Sequence, residues 1–325
     1  VKTFSFDPSA YASAYADQGY VHIPSGVSAE FLAYAREFLR RGDADLDSFA
    51  FKGKKKQFLF EFPEGDWPSG VKDAVAGVTG LDRERLTLCE RHIKAYEETA
   101  AAAPPAHKDR LASEVAVGIP LHVAPGSTVV AYPFDELDVN PFNTTALWRN
   151  SLDEDQLPER VLRDKRSVEL DVQPGDLLMF RGSSIYHERK QAAGTAVLYL
   201  KFNAMRLDPI GEDPTTGAQR TRSLALLETS SDDQLLDLAC EVSPQLHRVS
   251  RHYSRLRWTE VLQAYVTDQK EFRLSEDDFS MIQAADGSKT VRELIRGRGV
   301  PDSQLAQRLP AVRRLIRLQA LDLLG

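Results

Sequence analysis

The sequence predicts a mainly β core with flanking helices, followed by a second domain that is all-α or winged-helix-like. Three observations carry this. Short apolar or β-branched runs follow one another between Leu86 and Asn203, separated by Gly and Pro-Gly signals such as Pro125-Gly126 and Pro174-Gly175. No amphipathic helix stands reliably between most of those runs, so they pair antiparallel, in a barrel or jelly roll rather than a parallel α/β sheet. After Asp208-Pro209 the hydrophobic spacing becomes helical.

Taken in order, residues 8–18 and 28–41 have helical spacing, with Ser28 placed to cap the free amides of the second helix. Residues 19–24 form a short strand between them. Lys52 to Phe62 puts a basic run before alternating aromatics, which reads as a solvated turn and a strand. Leu86 to Tyr96 is extended, and the Ala/Pro stretch Ala100 to Ala106 is a loop, since consecutive prolines forbid a regular ladder. Strands are expected at Ser113–Val123, Ser127–Tyr132, Ser167–Val172, Asp176–Phe180 and Thr195–Asn203. Residues 133–166 are too long for a plain hairpin and form either a lid or a decorated surface loop, with Trp148 its best packing aromatic. Gly and Pro punctuate 209–217, which sets the expected domains at 1–209 and 210–325. In the second domain helices are expected at Ser223–Glu228, Asp232–Glu241, Arg248–Val266, Thr290–Ile295 and Gln304–Leu323, with a turn at Asp286-Gly287.

Composition narrows the functional class. With 325 residues, 42% hydrophobic and 27% charged, the chain is ordinary globular material. A net charge of -7 disfavours nucleic acid as a partner. The basic segment His247 to Arg257 sits in a domain where positive and negative side chains nearly balance, so a charged helix face accounts for it. Two cysteines, Cys89 and Cys240, stand far apart and provide neither a disulfide framework nor a thiolate zinc site. The first residues lack the apolar stretch of a signal peptide and no run is long enough to span a bilayer, so a cytoplasmic protein is expected.

The chemistry-bearing residues are His107-Lys108-Asp109, in the loop before the strand at Ser113, and His187, after the strand that ends at Phe180. Two imidazoles and one carboxylate hold one face of an octahedral ion and leave the opposite positions open, which suits non-haem Fe(II) better than zinc. Strand ends of a jelly roll converge at one mouth, so the long sequence gap is no obstacle. With seven histidines in the chain the tripeptide alone is weak, and its position before a strand-rich block supplies the rest.

In these residues and their order the sequence resembles the Fe(II)/2-oxoglutarate-dependent oxygenase superfamily, its phytanoyl-CoA-hydroxylase-like branch in particular. The resemblance runs over about residues 12–209. It rests on Tyr15 to Pro24 as opening helix and strand, His107-Lys108-Asp109 before Val115 to Leu121, Pro125-Gly126-Ser127-Thr128, and Gly175 to Phe180 leading to His187. It implies a double-stranded β-helix in which His107, Asp109 and His187 ligate Fe(II), with 2-oxoglutarate and O2 as cosubstrates and succinate and CO2 as products. The far carboxylate of 2-oxoglutarate then needs a cation. No Arg opens the strand after His187, a departure from the commonest pattern, and Lys201 is the expected partner, with Arg189, read as a loop residue, next and Arg206 third. Because Asp109 is present where related halogenases lack the carboxylate, the resemblance implies hydroxylation or another oxidation of a small molecule, in specialised metabolism as in that branch.

Other residues stay open. His92, Lys94 and Tyr96 alternate onto one face, which either lines the cavity or meets water, while His22 and His122 read as strand-end histidines. The alternative for the whole chain is a cupin-like metal-binding or regulatory protein without oxidation. The second domain could be a docking surface, a homodimerisation element or a cap on the first.

Overall fold

The computed structural model describes residues 2–44, 49–51, 55–65, 67–98, 105–133, 138–254, 259–267 and 270–325. Parts of the basic run (52–54), of the Ala/Pro stretch (99–104) and of the 133–166 connection (134–137) lie outside them, as does Arg255 to Arg257 of the basic segment. Two compact units divide the chain, Val1–Arg206 and Leu207–Gly325.

The first unit opens with a 3-10 turn at Pro8–Tyr11 and helix α1 (Ala12–Gln18), then β1 (Tyr20–Ile23) and α2 (Ala29–Ala44). Ser28 Oγ accepts the Phe31 amide at 3.1 Å, the capping bond its position predicts. Next come β2 (Phe49–Phe51), β3 (Lys55–Leu59) and α3 (Trp67–Thr79), then β4 (Thr87–Tyr96) and β5 (Val115–His122). Helix α3 is absent from the sequence reading, although Val71, Ala74, Val75 and Val78, all buried, carry helical spacing. The rest of the unit is β6 (Thr128–Tyr132), α4 (Thr145–Ser151), α5 (Pro158–Val161), β7 (Val168–Leu170), β8 (Leu177–Phe180), β9 (Tyr186–Lys190) and β10 (Ala196–Asn203).

These strands form two antiparallel sheets. The larger has the order β1-β8-β5-β10-β4-β3-β2, and the smaller β7-β6-β9, lengthened past β9 by a bridge between His107 and His187. From β4 onward the chain alternates between them: β4 in the large sheet, the His107 segment in the small, β5 large, β6 and β7 small, β8 large, β9 small, β10 large. Ala116, Leu178 and Phe180 of the large sheet share a buried cluster with Val129 of the small one, so the sheets pack face to face.

The outer face of the large sheet packs on the helices. Leu198, Leu200 and Phe202 of β10 and Val117, Ile119 and Leu121 of β5 join Phe31 and Ala35 of α2 and the α3 stripe in one apolar core. Burial on both faces explains why these strands read as nearly continuous apolar runs. The period of two then sends Val197, Tyr199 and Lys201 the other way, between the sheets.

The second unit corrects the expectation of an all-α domain. It contains α6 (Pro214–Thr229), α7 (Asp232–Asp237), β11 (Ala239–Val242), β12 (Leu246–Ser254), β13 (Thr259–Val266), β14 (Glu271–Leu274), α8 (Glu276–Ala284), β15 (Asp286–Thr290), α9 (Val291–Arg296), α10 (Leu305–Arg317) and β16 (Leu321–Leu324). Two three-stranded antiparallel sheets, β15-β11-β16 and β12-β13-β14, run among the helices. The segment expected as one helix at 248–266 is the hairpin arm β12–β13. Leu262, Ala264 and Val266 are buried while Val261, Gln263 and Tyr265 between them are not, a period of two rather than 3.6. Cross-strand contacts outweigh local helix propensity there: Arg248 stacks 4.0 Å from the Tyr265 ring of the residue paired with it. The expected helices at 232–241 and 304–323 are shorter, because their ends peel away into β11 and β16, which pair with each other. Among the described residues no helix is long and apolar enough to cross a membrane.

Candidate metal centre

His107 and His187 are cross-strand neighbours. Each donates its backbone N–H to the other's carbonyl at 3.0 Å, which holds the two rings side by side with centroids 4.6 Å apart. Both rings are locked by the same local device. His107 Nδ1 lies 2.9 Å from the Pro105 carbonyl and His187 Nδ1 lies 3.0 Å from the Ile185 carbonyl. A carbonyl accepts only, so each Nδ1 carries the proton and each Nε2 presents a lone pair. Phe180 packs edge-on against the His187 ring at 4.6 Å and fixes its plane.

Asp109 completes the group. Ligand atoms of His107, Asp109 and His187 all lie within 4.8 Å of one another, and His187 Nε2 stands 3.8 Å from Asp109 Oδ2. That oxygen is buried and accepts no hydrogen bond, whereas Oδ1 accepts one from Lys201 Nζ at 2.7 Å. An unpaired buried carboxylate oxygen facing two imidazole lone pairs is costly unless a cation joins them. Burial works to raise the Asp109 carboxyl, yet the Lys201 ammonium and both imidazoles outweigh it and hold the pKa down to about 2. Burial depresses His107 to about 3 and lowers His187 as well, so both rings are neutral and ready to ligate near neutral pH.

The loop that carries Asp109 is tied at several points. The Asp109 amide donates to the Gly182 carbonyl at 2.9 Å, and the Gly182 amide donates to Glu114 at 3.1 Å. Asn140, fully buried, donates Nδ2 to the Asp109 carbonyl at 2.8 Å and accepts the Phe142 amide at 2.8 Å. Lys108 points away from the site: its Nζ bonds the Asp138 carbonyl at 2.8 Å and lies 4.4 Å from the Tyr186 ring and 5.9 Å from that of Trp148. Residues 140–148 therefore clamp the ligand loop, rather than serving as a plain surface decoration.

A cavity opens beside these three side chains. Gly118, Pro120, Val129, Val172, Leu178 and Phe180 form an apolar wall, and Lys94, Tyr96, Glu188, Arg189, Tyr199 and Lys201 a polar one. Arg189 is on strand β9 and not in a loop, because the period of two that turns His187 to the cavity turns Arg189 the same way. Its Nη1 reaches Ser127 Oγ at 3.4 Å, while its buried Nε has no hydrogen-bond partner. Arg206 is exposed at the end of the unit and lines no part of this cavity. His92 is buried beside Glu90, with Nδ1 3.6 Å from Oε1, and His122 is exposed. His22 bonds Asp176 at 2.9 Å.

Glu90 is the residue that sequence reasoning missed. It is only 2% exposed and sits among Arg110 at 3.0 Å, Lys94 at 3.5 Å and Lys201 at 3.7 Å. Its signal was present: Glu90 shares the alternating face of His92, Lys94 and Tyr96 in β4, and a charged residue on a buried strand needs a partner.

No protein-family model matches the chain, and no curated protein matches it in sequence. Solved structures of Fe(II)/2-oxoglutarate-dependent oxygenases are similar to it over about 60% of its length. The non-haem alpha-ketoglutarate-dependent epimerase SnoN from nogalamycin biosynthesis has 17% identity and a TM-score of 0.44, covering 60% of this chain and 84% of its own. A Pseudomonas putida prolyl-4-hydroxylase has 13% identity and a TM-score of 0.43, covering 60% and 97%. HygX from Streptomyces hygroscopicus, solved with nickel, 2-oxoglutarate and hygromycin B, has 11% identity and a TM-score of 0.42, covering 62% and 88%.

Proposed function

We propose that the first unit is a double-stranded β-helix oxygenase that binds Fe(II) through His107, Asp109 and His187, takes 2-oxoglutarate as cosubstrate, and hydroxylates or otherwise oxidises a small molecule. The observation that carries this is the donor set itself: two oriented Nε2 lone pairs and one bare carboxylate oxygen converge beside an open cavity. Among the described residues no thiolate joins them, since both cysteines are buried elsewhere, and nitrogen and oxygen donors on one face suit a ferrous ion with vacant positions. Bound there, Fe(II) supplies the oxidation of substrate by O2, coupled to the conversion of 2-oxoglutarate to succinate and CO2.

The chain's own residues do the rest. Pro105 and Ile185 carbonyls keep both Nδ1 atoms protonated, so neither imidazole can turn its donor nitrogen away. Arg189, with its unpaired Nε on the polar wall, offers a charge-assisted partner for the far carboxylate of the cosubstrate. Val129, Val172, Leu178 and Phe180 exclude water from the opposite wall. Anaerobic loading with Fe(II), followed by O2 and 2-oxoglutarate, tests the proposal. Succinate forms in the wild type and in His122→Ala, and fails to form in Asp109→Ala and His187→Ala. A chain that binds the metal and yields no succinate is instead a cupin-like binder.

A further inference from the structure

We propose that Lys201 and Glu90 form a positioning pair for the Asp109 carboxylate, with Lys201 occupying Oδ1 so that only Oδ2 is left for the metal. This rests on the metal-ligand reading of His107, Asp109 and His187 above. It gives Lys201 a different role from the one the sequence resemblance implies, a partner for 2-oxoglutarate.

Geometry carries the argument. Lys201 Nζ donates to Asp109 Oδ1 at 2.7 Å and pairs with Glu90 Oε1 at 3.7 Å, with all three side chains buried. Asp109 Oδ2 is left without a hydrogen bond on the side of the imidazoles. A carboxylate fixed through one oxygen presents the other at a defined angle; one fixed through neither can rotate or chelate with both. Strand register builds the arrangement. Lys201 lies directly across from Glu90 in the β10–β4 ladder, and the ladder slips between Lys201 and Phe202. The extra residue is Cys89 of β4, so β10 keeps its alternation and Lys201 faces between the sheets with Tyr199, beside Asp109 on a neighbouring loop.

Charge explains why Glu90 is needed. A lone buried ammonium next to a divalent ion would be repelled by it and would also neutralise the ligand carboxylate. Glu90 offsets part of the positive charge that Lys201 brings to Asp109, so the carboxylate keeps more of its own charge for the metal. Glu90 is in turn steadied by Arg110 and Lys94, at 3.0 and 3.5 Å. Hydrogen-bonded neighbours of metal ligands commonly govern affinity in this way.

The test uses the full chain, free of metal, titrated with Co(II) by calorimetry and by visible absorption, then with 2-oxoglutarate on the Co(II)-loaded protein. Lys201→Met weakens Co(II) binding about 10–100-fold and alters the Co(II) spectrum, and Lys201→Arg recovers part of the affinity. Since Lys201→Met leaves Glu90 short of a partner, the double variant Glu90→Gln/Lys201→Met, with a neutral pair, serves where the single one does not fold; it shows the same weakening. Co(II) affinity and spectrum unchanged in these variants, with 2-oxoglutarate binding weakened, overturn the proposal and return Lys201 to the cosubstrate. A wild-type chain that binds no Co(II) overturns the metal reading itself.

Discussion

Gly182 stands in the turn between β8 and β9, where that turn meets the Asp109 loop, and replacing its hydrogen by a methyl group tests how tightly that junction is built. A Cβ on Gly182 would come 2.6 Å from the Ser113 carbonyl oxygen, 2.9 Å from Asp109 Oδ2 and 3.1 Å from Ala116 Cβ. Two of those contacts are shorter than any Cβ normally tolerates. The Ser113 carbonyl is backbone and Ala116 belongs to the central strand β5, so the carboxylate is the neighbour with freedom to move. Gly182 cannot slide away either, since its amide and carbonyl are bonded to Glu114 and Asp109 at 3.1 and 2.9 Å. Overpacking of this kind costs about 1–3 kcal/mol, and the displaced atom is the one proposed to bind metal. Gly182→Ala should therefore lose about 1–3 kcal/mol in urea unfolding and about 10–100-fold in Co(II) affinity. Gly70→Ala is the matched control: a Cβ there meets nothing within 4 Å on an exposed face of α3, and the change should stabilise by about 0.5–1 kcal/mol. Gly182→Ala with wild-type unfolding free energy and metal affinity would refute the steric account of the junction.

Three further outcomes follow from the same structure. Asn140→Ala removes the bond to the Asp109 carbonyl and the acceptor for the Phe142 amide, so it should cost about 1–3 kcal/mol per group left unpaired and loosen the metal loop, read as faster amide exchange at residues 107–112. The metal-free chain should lose stability as pH falls below the ordinary histidine value of 6.5, because burial holds folded His107 at about 3 and lowers His187 as well while the unfolded chain takes up the protons; the share from His107 at pH 5 is about 2 kcal/mol relative to pH 8, measured by urea midpoints in a chelator, and a flat profile would contradict the burial. Neither Cys89 nor Cys240 should react with a thiol reagent in the native state, since both are fully buried and burial pushes the Cys240 thiol up to about 12, and both should react in urea.

How much of this was legible in the sequence depends on whether the signal is local. The strands at 115–122, 128–132, 177–180 and 196–203 announce themselves through apolar runs between Gly and Pro punctuation, and Ser28 announces the start of α2. Strand β9 does not, because Tyr-His-Glu-Arg-Lys is polar and its strand character comes from pairing with β6 on one side and the His107 bridge on the other. The same holds for β12 and β13, whose charged residues fit a helix face until the register pairs Arg248 with Tyr265. At the site, the three candidate ligand residues are visible as residue types in order. What holds them is not: Gly182, Asn140 and Glu90 act on Asp109 and Lys201 through contacts 31 to 111 positions distant or through the space a missing side chain leaves.

The two imidazoles hang from a single rung, one reciprocal pair of backbone hydrogen bonds linking residues far apart in the chain. Their separation is thus a property of the main chain, indifferent to the identity of the groups around the opening. Val129, Val172 and Leu178 come from different stretches of polypeptide and take no part in that rung. A scaffold arranged in this way can be re-tailored to a wider, narrower or more polar guest by exchanging wall side chains, while the spacing of its nitrogen donors stays put.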